Sequence, residues 1–231
     1  MSVYDKIARL YDPWSASVTE DVAFYVDHGR RAGRVLELGV GTGRIAVPTA
    51  VAGAAVVGVD SSPGMLEVAR EQAELAGVDV DLRLGDMRDP PVEGTFPLVT
   101  IPFRSVLHME TDADRRGVLR AVRRLLEPAG RLVFDVFAPG ADDIAETHGR
   151  WLEREPGIWE RADWNERTRT LILRLRGPGT ESEMSLAWLS VPEWRALLGE
   201  EGFDVEALYG WFDGKRWRGG EDSIWVCRRR G

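Results

Sequence analysis

The sequence holds one cysteine, Cys227, among its 231 residues. No internal disulfide can form, and a reducing cytoplasmic compartment is expected. It has no apolar run of roughly 18 residues, so no membrane-spanning helix is expected. The opening MSVYDKIARLYDPW contains acids and no long apolar core, so no signal peptide is expected. Basic charge is in short supply: the net charge is −8, which argues against a nucleic-acid partner. The terminal VCRRRG is too brief to reverse this and reads as a solvated tail. Histidine is scarce, with three residues, and no metal is expected. No internal repeat or low-complexity linker appears. What remains, 44% hydrophobic and 29% charged residues, suits a globular chain with one sizeable core.

Two capped helices are expected first, signalled by Ser2 with Asp5 and by Ser17 with Glu20. Strands then read at 34–38, 54–60, 80–86, 96–103 and 131–137, with helices at 43–53, 62–77 and 111–130. Pro48 falls inside the first of these helices and is tolerable near its first turn. Such alternation with short links predicts a parallel sheet covered by helices on both faces. The nearly all-apolar strands agree with that. Beyond about residue 140 the hydrophobic period becomes two, with turn signals at Pro156-Gly157, Asn165 and Gly177-Pro178-Gly179. These features read as antiparallel strands. A helix capped by Ser190 with Glu193 follows, then strands in FDVEALYGWF and DSIWVCRR.

The stretch VLELGVGTGRIAV, residues 35–47, runs a strand into three glycines and then a helix. Bare backbone turns tightly and lets a ligand approach the chain closely. In open parallel sheets, ligands sit at the carboxyl ends of the strands where the chain order reverses. The dinucleotide fingerprint G-x-G-x-x-G is met at Gly39 and Gly41, but Arg44 stands at its sixth position and Gly43 comes one place early. An NAD-dependent oxidoreductase would also need a Tyr-x-x-x-Lys pair, which the sequence lacks.

The string E-x-G-x-G-x-G, from Glu37 through Gly39 and Gly41 to Gly43, closely resembles the first motif of class I S-adenosylmethionine-dependent methyltransferases. The resemblance implies that the glycines pass under the methionine part of the cofactor. It puts Glu37 beneath the sulfonium end, ordering the loop. Asp60, with Ser61 beside it, would hold the ribose hydroxyls, since a carboxylate accepts two such hydrogen bonds well. Asp86 would meet the adenine amino group, with Met87 beside the ring and Met65 packed on it. Each residue has an ordinary alternative: Glu37 a structural acid, Asp60 a helix cap, Asp86 a turn residue, Met65 core. The stretches YDPWSASVTEDVAFYVDH and GFDVEALYGWFDG resemble the small-molecule branch of the family.

Methyl transfer is an in-line displacement in which the protein supplies position and, for some acceptors, a base. The acceptor pocket is expected beyond the fourth strand, at IPFRSVLHM (101–109), under the N-terminal helices. Relatives that methylate nucleic-acid bases carry Asn or Asp, then Pro-Pro and an aromatic there. Ile101-Pro102-Phe103-Arg104 departs from that pattern and favours a small molecule. His108 is a candidate general base or a hydrogen-bonded histidine at a helix start. Arg104 is an anchor for an acidic substrate group or a structural ion pair. Phe103 is assigned to the cofactor site. Tyr4, Tyr11 and Trp14 belong to the lid, with Tyr11 nearest the cofactor carboxylate. Tyr209, Trp211 and Phe212 are a far wall of the pocket or core.

The resemblance therefore implies an α/β, Rossmann-like, doubly wound fold. It would have a seven-stranded, mostly parallel sheet, antiparallel C-terminal strands, an N-terminal helical lid and a β elaboration near 150–190. One domain is expected over 1–231: a lid (1–32), a cofactor-binding core (33–139), an antiparallel insertion (140–190), and a closing helix with two strands (191–231). The insertion serves either as a lid over the acceptor or as a dimer surface. The expected activity is methyl transfer from S-adenosyl-L-methionine to N, O or C of a small molecule, releasing S-adenosyl-L-homocysteine, by a monomer or homodimer. The alternatives are an NAD-dependent oxidoreductase and a non-catalytic S-adenosylmethionine-binding module.

Overall fold

The computed structural model describes residues 2–16 and 19–231. A 3-10 turn (Val3–Lys6) and helices α1 (Ala8–Trp14) and α2 (Glu20–Ala32) lead into strand β1 (Arg34–Leu38). There follow α3 (Ala46–Val51), β2 (Ala55–Asp60), α4 (Pro63–Ala76), β3 (Asp81–Leu84) and β4 (Phe96–Ile101). A second 3-10 turn (Ser105–His108) precedes α5 (Asp112–Leu125), β5 (Leu126–Phe137) and α6 (Ala141–Thr147). Four strands come next: β6 (Trp151–Glu155), β7 (Ile158–Asn165), β8 (Thr170–Gly177) and β9 (Thr180–Ala187). The chain closes with α7 (Val191–Glu200), β10 (Phe203–Tyr209) and β11 (Asp222–Arg229).

Seven strands form one sheet in the order β10-β11-β5-β4-β1-β2-β3. β11 is antiparallel to both of its neighbours, and the pairs from β5 across to β3 are parallel. The chain order reverses between β1 and β4, so the glycine-rich turn after β1 opens at the switch point. Side chains alternate across the strands. Val35, Leu98 and Val133 pack with Tyr25 of α2 and Ala46 of α3. Leu36, Val99, Leu132 and Phe134 face Val118 and Val122 of α5 and Trp194 of α7. Among the described residues, no helix is long and apolar enough to cross a membrane.

The second sheet is an antiparallel meander, β6-β7-β8-β9. Its inner face (Ile158, Ala162, Leu171, Leu173, Met184, Leu186) joins the core that holds Ile7, Val106 and Leu107. The elaboration expected near 150–190 is thus a sheet laid over the 3-10 turn after β4 and over the opening segment.

Several boundaries differ from the sequence reading. The first expected helix is broken into a 3-10 turn and α1, although Ser2 and Asp5 do form a capping box. Ser17, the proposed cap of α2, lies outside the described residues. The helix read from residue 43 starts at Ala46, because Gly41 and Gly43 hold φ of 55° and 82°, outside the helical region. Pro48 sits in its first turn, as anticipated. α5 stops at Leu125, and β5 begins at once with Leu126 opposite Phe96. Pro128 cannot continue a helix, and Ala129, with φ of 62°, makes the irregularity before the register resumes at Arg131. The seven-residue helix α6 lies in the stretch expected as an antiparallel insertion and is too short to show a period.

Arg44 and Asp21 form a bidentate ion pair whose carboxylate is 1% exposed. Arg44→Met leaves that carboxylate buried without its guanidinium and should destabilise the fold by about 3–5 kcal/mol. The double variant Asp21→Asn/Arg44→Met should recover most of this in urea denaturation, and equal losses in both would refute the pairing argument.

Candidate active site

The three glycines of the first loop turn out to have three different reasons. Gly39, φ 73°, has no room for a side chain: a Cβ would lie 2.8 Å from that of Ser105. Gly43, φ 82°, packs against Val47 and Ala69. Gly41, φ 55°, would meet nothing within 4 Å and faces open space. That space is a cavity of about 250 Å³ lined by Gly39, Gly41, Asp60, Ser61, Met65, Asp86, Met87, Phe103 and, from the opening segment, Tyr4 and Tyr11.

Asp60 stands at the carboxyl end of β2. One carboxylate oxygen accepts from Gly41 N–H at 2.8 Å and the other from Ser62 N–H at 2.8 Å. Burial raises its pKa. Ser61 N–H also bonds this carboxylate, which with about four acceptor sites can still accept a further donor. The cap of α4 is Ser62, which accepts from Met65 N–H, so Asp60 is not spent on capping. Asp86 accepts from Arg88 N–H and pairs with its guanidinium, a turn contact that coexists with its place on the cavity wall. Met65 is 2% exposed and serves both core and wall.

The opening segment is fastened over this cavity. Asp5 accepts from Ser62 Oγ at 2.6 Å and from Gly64 N–H at 3.1 Å, and Asp12 accepts from Thr42 Oγ1 at 2.5 Å.

After β4 the chain makes a strained turn. Phe103 and Arg104 hold φ of 52° and 63°, where side chains are disfavoured. Asp135 on β5 pins the turn. It accepts from Phe103 N–H at 2.8 Å, Arg104 N–H at 3.1 Å and the Tyr25 hydroxyl at 2.5 Å. Burial pushes its pKa up to about 6 against these bonds. The turn aims Phe103 at the first cavity and Arg104 away from it.

A second cavity, of about 380 Å³, lies on the far side. Tyr4, Tyr11, Phe103 and His108 line both cavities and form the neck between them. Trp14, Phe137 and Trp164 give the second cavity aromatic walls, and the inner face of the small sheet supplies Leu171, Leu173, Met184 and Leu186. Its charges are unequal: Asp143, Glu160, Glu221 and Asp222 against Arg104 and Arg154. Arg104 pairs with Asp222 at 2.8 Å and Arg154 with Glu160 at 2.8 Å. Asp143 accepts from Gly140 N–H at 2.9 Å and lies against Glu221. Burial and then the neighbouring Asp143 push Glu221 up to about 7.

His108 is half-buried in the neck. Its Nε2 lies 2.6 Å from the Tyr4 hydroxyl and its Nδ1 3.0 Å from the Ser185 carbonyl. Burial pushes it down to about 4. Among the described residues, no cluster of His, Cys, Asp and Glu suits a metal ion.

The structure brings together Tyr11, Gly39, Gly41, Asp60, Ser61, Met65, Asp86, Met87, Phe103 and His108 around the first cavity and its neck, with Arg104 beyond. Glu37 and Gly43 lie behind the wall. Glu37 is 2% exposed, and burial raises its pKa to about 8. Tyr209 and Phe212 do not form a far wall of either cavity. They pack on Phe24 and Tyr25 of α2, because β10 is the sheet edge farthest from the glycine loop. Trp211 packs edge-on to Phe212 and lines neither cavity. The sequence reading missed Asp135, Asp5 and Asp12. An acid inside the apolar strand RLVFDVF was the one available signal for the first.

Residues 35–130 match a family described as a methyltransferase domain. Over 227 residues the chain is 28% identical to a cypemycin N-terminal methyltransferase from Streptomyces, covering 93% of this chain and 92% of that protein. The CcbJ methyltransferase of Streptomyces caelestis superposes with a TM-score of 0.86 at 26% identity, covering 100% of this chain and 99% of the other. The S-adenosylmethionine-bound CalS10, an amino pentose methyltransferase of Micromonospora echinaspora, superposes with a TM-score of 0.66 at 24% identity, covering 99% and 97%.

Two outcomes are expected from the buried acids. Asp135→Asn sets an amide N–H against backbone donors and should cost about 1–3 kcal/mol, with a matching loss of ligand affinity in the first cavity. Full affinity would show that the turn stands without its clamp. Glu37 keeps its proton in the folded chain up to about pH 8, against an ordinary value of 4.5. The unfolded chain therefore releases a proton that the folded chain retains, and stability falls as pH rises through that window, levelling off above it. Glu37→Gln cannot ionise, so urea midpoints measured near pH 6 and pH 9 should favour the variant more at the higher pH.

Proposed function

The chain belongs to the class I S-adenosylmethionine-dependent methyltransferases, and from that premise we propose that it methylates an amine nitrogen of a small molecule held in the second cavity. S-adenosylmethionine brings an electrophilic methyl group on its sulfonium; position and recognition fall to the protein. The residues of the first cavity fit that cofactor. Gly41 leaves room for close approach, Asp60 keeps acceptor capacity for a ribose hydroxyl, and Met65 and Met87 offer apolar surface to a base. In this reading Asp86 takes the adenine amino group and Tyr11 the cofactor carboxylate. Glu37 and Gly43 support the loop from behind. Arg44, where a dinucleotide fingerprint has glycine, turns into Asp21, which leaves the oxidoreductase alternative without support.

The carrying observation is the pair of cavities that meet at Tyr4, Tyr11, Phe103 and His108. A donor in one and an acceptor in the other would face each other across that neck, which is most of what an in-line displacement requires. Three features favour an amine. The second cavity has four acidic side chains, one of them Glu221 with its pKa pushed up to about 7, against two guanidinium groups, and so keeps a negative balance. Its aromatic walls suit a cation as well as an apolar ring. His108, driven down to about 4, is a poor base for a hydroxyl, whereas an amine attacks as its free base, the proton of its ammonium form passing to water or to a carboxylate of the cavity. The relative named for an N-terminus is similar over nearly its whole length. Both cavities are lined by one chain, so the proposal suits a monomer or a homodimer. The buried, free Cys227 suits the cytosol.

Two experiments test this. Asp60→Ala should weaken S-adenosylhomocysteine binding by about 1–3 kcal/mol in calorimetry; unchanged affinity would remove Asp60 from the ribose. The wild-type protein with S-adenosylmethionine should methylate amines such as benzylamine, cyclohexylamine or an unblocked tripeptide, and spare their hydroxyl counterparts. Transfer to the hydroxyl members alone would overturn the amine assignment.

A further inference from the structure

Three groups in line set the direction of a hydrogen-bond chain. The Ser185 carbonyl can only accept, and it lies 3.0 Å from His108 Nδ1. In a neutral ring that nitrogen must therefore carry the proton. Nε2 is left with a lone pair, so the Tyr4 hydroxyl, 2.6 Å away, must donate to it. The single phenol proton is then committed, and what Tyr4 has left to offer is acceptance. Burial keeps the ring neutral at working pH, so the direction does not reverse. The competing partner of the hydroxyl, Met184 Sδ at 3.3 Å, is a weak acceptor.

The hydroxyl belongs to the wall of the second cavity. Tyr4 lines that cavity, and so do both neighbours of its oxygen, His108 and Met184. Tyr4 also lines the first cavity. Few places are better suited to hold a nitrogen at the neck. Building on the amine reading above, we propose that Tyr4 orients the acceptor. Its oxygen, made a pure hydrogen-bond acceptor by the Ser185–His108 chain, takes an N–H of the amine and turns the nitrogen lone pair toward the cofactor cavity. Tyr4 touches the substrate in this account, and His108 is a positioning residue acting through it. The arrangement selects acceptors that carry an N–H and disfavours carbon acceptors, which cannot fill the phenol lone pair.

The surroundings leave the chain undisturbed. Tyr4 comes from the opening 3-10 turn, Tyr11 packs edge-on to Tyr4 from α1, and Ser185 comes from β9. Burial, and then the charges of Tyr11 and Asp60, raise the pKa of Tyr4, so the phenol keeps its proton. Arg104, Arg154, Asp143, Glu160, Glu221 and Asp222 line the same cavity. The ring itself answers to burial and to the Ser185 carbonyl.

The first measurement needs no turnover. Nitrogen-15 NMR of histidine-labelled protein, assigned with His108→Gln, should show His108 with a protonated Nδ1 and a bare Nε2 across about pH 6 to 8. A ring protonated at Nε2, or an imidazolium, in that range overturns the proposal. The second is Tyr4→Phe, which keeps the ring. Its affinity for S-adenosylhomocysteine should stay within about twofold. Its kcat/KM for benzylamine, or for whichever amine of the panel is methylated, should fall about ten- to hundredfold, the scale of a buried donor left unpaired. Wild-type kcat/KM in Tyr4→Phe would also overturn the role. If the wild-type protein methylates no amine at all, the amine reading itself falls and this role falls with it, a result that the two variants cannot imitate.

Discussion

The carboxylate of Asp135 lies inside the sheet, where its charge is costly, and it accepts three hydrogen bonds there. Two come from consecutive backbone N–H groups of a turn that side chains disfavour, and the third from Tyr25 on the helix packed against that face. The turn would relax without a fixed acceptor, since left-handed geometry at Phe103 and Arg104 is unfavourable. From it Phe103 enters the neck, Arg104 enters the second cavity, and the 3-10 turn carrying His108 begins. The turn that both cavities share therefore depends on one buried acid and its donors.

The same face of the sheet ties this turn to the glycine loop. Arg44, held by Asp21, stacks its guanidinium 4.5 Å from the centre of the Phe103 ring. Glu37 lies close enough for its charge to feel Arg44 and Asp21. Buried ionisable side chains on β1, α2, the glycine loop and β5, with Glu37 among them holding its proton, thus form a support beneath the first cavity, and Arg44 reaches its wall through Phe103. Such a network is high-stakes: satisfied, it fixes the loops, and broken, it leaves charges stranded in the core.

The second cavity has a different origin. The parallel sheet contributes its floor, through Phe103, Arg104 and Phe137. The walls come from elements outside that sheet: the opening segment, α6 and the inner face of the small antiparallel sheet. Trp164 links two of these, donating to Thr147 of α6 at 2.8 Å while its ring meets Phe137 and Trp188. On the proposed reading, cofactor and acceptor are held by separate parts of one chain, which meet at four side chains.

Local signals carried the strands, most helices and the glycine loop. Alternation, caps and glycine spacing are written over a few neighbouring residues, and so are Ser62, Thr111 and Ser190 with their helices. Asp60 ends β2 and Asp86 follows β3 by two residues, so their places on the wall of the first cavity follow from spacing along the chain. Residues that act at a distance were not legible. Tyr4 and His108 are 104 positions apart, Asp5 and Ser62 are 57 apart, and Asp135 stands 32 from Phe103. Asp5 shows the difference well. Its capping role beside Ser2 could be read from spacing, but its hold on the start of α4 could not. Tyr209 and Phe212 show it from the other side, since aromatics on a strand look alike whether they face a pocket or a helix. The sequence alone determined which segments become strands and helices, because backbone hydrogen bonding and apolar period are local properties. Only the tertiary structure decided that Ser185, His108 and Tyr4 stand in line, because hydrogen-bond direction depends on which groups the packing brings within reach.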